Sequence, residues 1–276
     1  MKLLRMNLEL SDLGTKTHVW FPLPQRTSGE PQEWLSSTDF KIITDKKFNN
    51  RSAYFLTSFS ELKVSAAFPL ISFQNSFSSL RGASRRGNLS SNSMVQSDHP
   101  AIKNIAHSLV LGQTSTDDKA KKCFDWVVRY LEYANPIRGL YSSVQALTDR
   151  KVDCGGFSTL LTALLRAAKI PSRCVFGGAV KSKFGYHAWV EFFDQQKHSW
   201  IPCDPSVANL GKRTKLDAGF GFINDERTVF SVGEDLNLVG DDIEWNVPLL
   251  QLPVIVSLDK NGPPQKFIEK LAWNFS

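Results

Sequence analysis

The chain has 276 residues and a formal net charge of +6, a length that suits one large unit or two smaller ones. Hydrophobic residues at 42% and aromatics at 11% supply a packed core and exclude global disorder. Basic residues are spread out; the densest run, Arg81 to Arg86, lies in a Ser/Gly-rich stretch and reads as a solvated loop, so no nucleic-acid partner is expected.

Residues 1–75 read as an N-terminal β-rich domain. Lys16–Pro24, Ser52–Glu61 and Leu62–Leu70 are rich in aromatic and β-branched residues and partly alternate. Residues 76–97 shift to Ser, Asn, Gly and Arg and read as a linker. Helices follow. Asp98 is placed to cap the first, with Pro100 in its first turn and Ile102, Ile105, Ala106 and Leu109 as its stripe. The second starts near Ser115–Thr116, with Asp117 and Asp118 at its positive end and Ala120, Phe124, Val127 and Leu131 inward.

A third helix carries Phe157, Leu160, Leu161, Leu164, Leu165 and Ala168 on one face, and Ile170-Pro171 ends it. Three strands, around Cys174–Val180, Tyr186–Phe193 and Ser199–Asp204, complete a unit over residues 98–206. Residues 207–276 read as a C-terminal extension of loops and short strands, among them Arg227–Val232 and Leu252–Leu258, broken at Gly262-Pro263-Pro264.

Cys123, Cys154, Cys174 and Cys203 form no CxxC pair and no disulfide framework. No ligand cluster has zinc-site spacing, and neither metal nor cofactor is expected. Met1–Leu10 lacks an apolar run of signal-peptide length, and no segment approaches a bilayer span. The expectation is a soluble protein, cytoplasmic as the sequence stands, with export open if a leader has been trimmed; oligomeric state is unspecified.

The chemistry concentrates where Asp153-Cys154-Gly155-Gly156 opens the third helix. A helix N-terminus favours a thiolate, its unpaired N–H groups, that of Cys154 included, can donate to an oxyanion, and Gly155 and Gly156 leave room for a substrate carbonyl. The same four residues also suit a tight loop-to-helix turn. His187 separates the two readings. With Gln195-Gln196 as the centre of a hairpin turn, His187 stands directly opposite Asp204, where a carboxylate can orient the imidazole. Asp153 reads as a helix cap and Asp194 as a turn residue. Cys123, Cys174 and Cys203 read as buried, and His18, His99, His107 and His198 as structural or exposed. Trp189 and Trp200 either pack in the core or wall a substrate cleft.

Four ordered blocks then stand together: Cys154 opening a helix; Arg166-Ala167-Ala168-Lys169-Ile170-Pro171-Ser172-Arg173; His187-Ala188-Trp189; and Trp200 through Asp204-Pro205. In these blocks the chain resembles the transglutaminase-like superfamily of papain-type thiol enzymes. Less specifically, residues 19–24 and 226–238 are similar to segments of bacterial members that carry an N-terminal β domain and a C-terminal extension. The resemblance implies an α+β fold: a papain/transglutaminase-like core, in which a nucleophile-bearing helix packs on an antiparallel sheet, with an N-terminal β-rich domain. It implies Cys154 as nucleophile, His187 as general base and acid, and Asp204 as orienter. Lys169 departs from the family's usual Gly before Ile-Pro. Related enzymes add an oxyanion donor upstream of the Cys, for which Gln145 or Tyr141 is available.

The function so implied is acyl transfer through a Cys154 thioester on a peptide or protein substrate. A cysteine peptidase or amidase is favoured; a protein-glutamine amine acyltransferase and a non-catalytic scaffold are the alternatives. No Asp/Glu-rich loop has calcium-ligand spacing, which disfavours a calcium-dependent cross-linker.

Overall fold

The computed structural model describes residues 3–25, 33–69, 88–134, 140–180, 184–210, 219–222, 227–260 and 264–275. Most of the expected linker, including Arg81 to Arg86, and the break at 262–263 lie outside them. The chain begins with β1 (Leu3–Leu10), β2 (Thr17–Pro22), β3 (Glu33–Ser36), β4 (Lys41–Thr44), β5 (Arg51–Thr57) and β6 (Leu62–Pro69). Helices α1 (Pro100–Val110) and α2 (Thr116–Tyr130) lead to β7 (Glu132–Tyr133), α3 (Ser143–Asp149) and β8 (Lys151–Val152). Helix α4 (Cys154–Ala167) precedes β9 (Ser172–Val180), β10 (Phe184–Asp194), β11 (Ser199–Cys203) and α5 (Pro205–Leu210). Last come β12 (Arg227–Val232), β13 (Leu236–Val239), β14 (Glu244–Val247), β15 (Val254–Ser257) and β16 (Ile268–Phe275).

Two antiparallel four-stranded sheets, ordered β16-β1-β6-β3 and β15-β2-β5-β4, face each other. Strict alternation in β1 turns Leu4, Met6, Leu8 and Leu10 inward, against Val19, Phe21 and Phe55 of the second sheet. All six residues of β2 are buried because that sheet is covered on both sides. The β13–β14 hairpin lays Leu236 and Leu238 over Trp20 and Tyr54 on its outer face. A third four-stranded sheet, β11-β10-β9-β12, carries the helices. Strands β12, β15 and β16, all from residues 207–276, each occupy an edge of one of these sheets. Among the described residues no helix is long and apolar enough to cross a membrane.

Helix α2 follows the sequence closely: the Ser115 side chain accepts from Asp118 N, and Ala120, Phe124, Val127 and Leu131 are buried. In α1 the cap falls one residue later than expected, at His99, which makes no side-chain cap bond; Asp98 instead accepts from Ser91 Oγ. The short α3 is new. A capping box starts it, with the Ser142 side chain accepting from Gln145 N and the Gln145 side chain accepting from Ser142 N.

Helix α4 is buried all round from Gly156 to Arg166, beyond the single stripe expected. It rests on β9 and β10, with α1, α2, α3 and α5 around it. Its polar residues find partners: Ser158 Oγ donates to Cys154 O (2.8 Å), Thr159 Oγ1 to Tyr141 O (3.0 Å), and Thr162 Oγ1 meets Cys174 Sγ (3.3 Å). The two arginines of the Arg-Ala-x-x-Ile-Pro-x-Arg block are structural. Arg166 pairs with Glu234 (2.7 Å), and Arg173 pairs with Glu191 directly across the β9–β10 ladder (2.8 Å).

Lys169 ends the helix at φ 64°, in the left-handed region. That conformation is costly for a residue with a Cβ and free for glycine. Lys169→Gly is therefore expected to stabilise the protein by up to about 1 kcal/mol in denaturant titration. A loss of stability would contradict the account.

Candidate active site

The thiol of Cys154 sits on the first residue of α4. Strand β8 delivers it, held beside β7 by parallel pairing of Tyr133 with Val152 and by Ala134 N donating to Val152 O (3.0 Å). Asp153 caps the helix as expected, its Oδ1 accepting from Gly156 N (3.1 Å). The N–H groups of Cys154 and Gly155 have no acceptor within the helix and stand at its positive end. Cys154 is half-buried, whereas Cys123, Cys174 and Cys203 are buried. Burial pushes Cys123 up to about 12 and holds Cys174 and Cys203 well above the ordinary thiol value.

The two glycines behind Cys154 differ. A Cβ on Gly156 would lie 2.6 Å from Val152 Cβ, so its missing side chain makes room for β8 and not for substrate. At Gly155 a Cβ would meet only the Asp153 carboxylate, at 3.1 Å.

His187 lies near the start of β10, and its Nε2–H donates to Asp204 Oδ2 at 2.7 Å. The hairpin that brings them together is not the one expected. Val190 pairs with Cys203 and Asp194 with Ser199, which leaves a four-residue turn, 195–198. Asp194 Oδ1 accepts from Gln196 N and Lys197 N, and His198 takes φ 48°. The register is therefore shifted by two residues, which keeps each side chain on its expected sheet face. Asp204 stands just beyond β11, where Pro205 starts α5, and its Oδ1 accepts from Ser206 Oγ (2.7 Å) and Val207 N (3.1 Å). Its backbone N–H donates to Gly219 O (2.6 Å). Gly219 has φ +84°, and a Cβ there would lie 2.6 Å from Asp204 O; only glycine fits this approach.

The Cys154 thiol lies beside the imidazole, near enough to act on its charge; with Nε2 on Asp204, Nδ1 is the ring nitrogen left to face it. Thiol, imidazole and buried carboxylate thus form one chain along which a proton can move. Burial works against the charge on His187, but the charge and hydrogen bond of Asp204, with the thiol beside it, push the imidazole up to about 9. Burial likewise opposes ionisation of Asp204, yet His187, Arg227 and the Ser206 hydroxyl hold it well below the usual carboxylate range.

The folded His187 value lies above the ordinary histidine value. Its contribution to stability is therefore complete below about pH 6.5 and is lost as pH rises through about 9. Thermal midpoints are expected to fall over that window in the wild type and to fall less in His187→Gln. Parallel profiles would contradict this.

Other expected residues lie elsewhere. Trp189 is fully buried and Trp200 nearly so, which assigns them to packing and not to a cleft wall. Trp189 stacks on the His187 ring with centroids 6.2 Å apart, and Trp200 lies under the Arg173 guanidinium at 3.8 Å. Gln145 is exposed, and its side-chain oxygen is taken up in the α3 cap. Tyr141 packs by its ring against the helical core.

Three groups at the site escaped the sequence. Tyr133, on β7, is pushed up to about 12 by burial and by the nearby charges of Cys154, Asp153 and Asp204. Gln251 donates through Nε2 to both Gly177 O (2.8 Å) and His187 O (3.1 Å), fixing the backbone beneath the imidazole. Arg227 Nη2 lies 2.8 Å from Asp204 Oδ2. No local pattern flags them, since strand pairing or loop packing brings each in from distant sequence. Among the described residues no group of three or more His, Cys, Asp and Glu side chains is arranged to hold a metal ion.

Residues 103–205 match the model of the transglutaminase-like superfamily. No curated protein sequence matches the chain. A candidate cysteine protease from Cytophaga hutchinsonii, 14% identical, superposes with a TM-score of 0.58 over 99% of this chain and 97% of its own. The ethylmercury-bound periplasmic domain of TgpA from Pseudomonas aeruginosa is 17% identical, with a TM-score of 0.42 over 77% of this chain and 91% of its own. LapG from Legionella pneumophila is 15% identical, with a TM-score of 0.37 over 64% and 91%. At such identity the Cytophaga structure shows a shared fold, an α+β core with the Cys154 helix packed on an antiparallel sheet and a β-rich N-terminal part. Residues 103–205 are a transglutaminase-like superfamily domain.

Proposed function

We propose that the protein is a thiol acyl-transfer enzyme that hydrolyses an amide bond in a peptide or protein through a thioester on Cys154. The observation that carries this reading is the placement of His187 beside the Cys154 thiol with its Nε2–H on the Asp204 carboxylate, the thiol standing at a helix N-terminus. Cys154 Sγ attacks the amide carbonyl carbon as a thiolate, the proton it has given up residing on His187 as the imidazolium. The tetrahedral oxyanion accepts hydrogen bonds from the N–H groups of Cys154 and Gly155. Collapse breaks the C–N bond, and the imidazolium gives its proton to the leaving amine. Water, deprotonated by His187, then attacks the thioester, releasing the acid and restoring the thiol. Asp204 holds the imidazole by Nε2–H throughout, keeping Nδ1 toward the sulfur.

Hydrolysis is preferred to transfer because the full-length structural counterpart is named a candidate cysteine protease. The competing outcome is capture of the thioester by an amine. With a glutamine-containing peptide as acyl donor and cadaverine as acceptor, mass spectrometry is expected to find mostly free acid. Predominant cadaverine adduct would replace the hydrolase reading by an acyltransferase. A substrate library that gives no Cys154 adduct would leave the scaffold alternative.

A further inference from the structure

Arg227 begins β12, two strands away from His187. It pairs with Ala179 of β9, while Gly177 of β9 pairs with both Val229 and His187. The side chain is 8% exposed and ends on the carboxylate oxygen that holds the imidazole, with Asp204 Oδ2 2.8 Å from Arg227 Nη2 and 2.7 Å from His187 Nε2. Its guanidinium carbon lies 5.2 Å from the centre of the Trp189 ring, and that ring stacks on His187. Arginine, carboxylate, imidazole and indole thus form a closed circuit. Nε and Nη1 of Arg227 are buried without a hydrogen-bond partner. A guanidinium so poorly satisfied is costly to bury and adds little to the fold, which points to a role at the carboxylate.

We propose that Arg227 is a positioning residue for the site: its guanidinium anchors the Asp204 carboxylate from β12 and shares Oδ2 with the imidazole, thereby setting how firmly His187 holds its proton. The guanidinium charge repels the imidazolium with which it shares Oδ2, offsetting part of the carboxylate's hold on the proton. Without Arg227, Asp204 serves His187 alone, the imidazolium is stabilised further, and it becomes a weaker acid toward a leaving amine. The other groups around the pair are Cys154 at the start of α4, Tyr133 on β7 and Ser206 in α5. None of these is a cation, so among these groups Arg227 supplies the positive charge set against the pull of Asp204, in addition to the burial that also works against the imidazolium.

The importance of this for turnover rests on the proposed function, but the test reads the imidazole itself. His187 is titrated by NMR in the full chain as wild type, Arg227→Gln and Arg227→Lys, its signal assigned by absence in His187→Gln. The wild-type midpoint is expected at about 9. Arg227→Gln, which keeps donors but loses the charge, is expected to raise it by roughly one unit. Arg227→Lys, which keeps the charge, is expected to leave it near the wild-type value. An unchanged or lower midpoint in Arg227→Gln, or an equal shift in both variants, overturns the proposal. Should Arg227→Gln fail to fold, the lysine variant decides: a wild-type midpoint supports the role of charge and a displaced one overturns it. A wild type without acyl transfer that still shows the glutamine shift would refute the proposed function and leave this inference standing.

Discussion

Cys154→Ala is expected to lower turnover by at least about 10⁴-fold, because the thioester cannot form and only binding and the oxyanion donors remain. Stability should change little. Cys154 is half-buried on the first residue of its helix, where alanine is well tolerated, and removing the sulfur mainly releases the imidazole. Cys174→Ala is the informative contrast. That sulfur is fully buried against Thr162 Oγ1, so its loss should cost about 1–2 kcal/mol by leaving a small cavity while the chemistry survives. Chevron or equilibrium denaturation paired with turnover separates the two. More than about 1% residual activity in Cys154→Ala would exclude this thiol as the nucleophile.

Glu234→Ala is expected to be the most destabilising single change, at about 3–5 kcal/mol, because it strands a buried guanidinium. Glu234 follows β12, and its Oε2 accepts from Arg166 Nη2 (2.7 Å) and Asn92 Nδ2 (3.3 Å) while Oε1 accepts from Cys174 N (2.7 Å). Burial opposes its charge, but Arg166 and the Cys174 N–H outweigh burial and keep the carboxyl below its ordinary value. Arg166 spends its remaining donors on Ser172 O and Ser90 O. One side chain thus ties the segment after β12, the end of α4, the start of β9 and the stretch before α1. The thermal midpoint should drop on the order of 10 °C. Replacing both partners, as Arg166→Met with Glu234→Leu, should cost less than the sum of the single changes. A Glu234→Ala protein within about 1 kcal/mol of wild type would contradict the assignment.

What the sequence made legible was local. Caps, helical periodicity and the order of Cys154, His187 and Asp204 are written within short stretches, and the structure brings these three side chains together. The hairpin shows how narrow that legibility is. Spacing alone predicts a Gln-Gln turn, but the Asp194 carboxylate gathers the next N–H groups and His198 adopts a left-handed conformation, so two more residues enter the turn. Only because the shift is even do His187 and Asp204 still meet. Gly156 misled in another way: a missing side chain looks the same whether it admits a substrate or a neighbouring valine. Gln251, β16 and the reach of Arg227 to Asp204 have no local signal, and the strand expected at Leu252–Leu258 carries none for the sheet it joins as β15. They reach their places by pairing or packing across tens to hundreds of residues, which periodicity does not encode.

The direct test of Cys154 as the reacting thiol is competitive labelling with limiting iodoacetamide, read by peptide mass mapping at a series of pH values. The account predicts that Cys154 labels first, ahead of Cys123, Cys174 and Cys203, which are buried with their thiolates disfavoured. It also predicts that His187→Gln slows the Cys154 reaction selectively, since the imidazole that takes up the thiol proton is gone. Labelling of Cys154 no faster than that of the three buried cysteines, or a rate unchanged in His187→Gln, would contradict it.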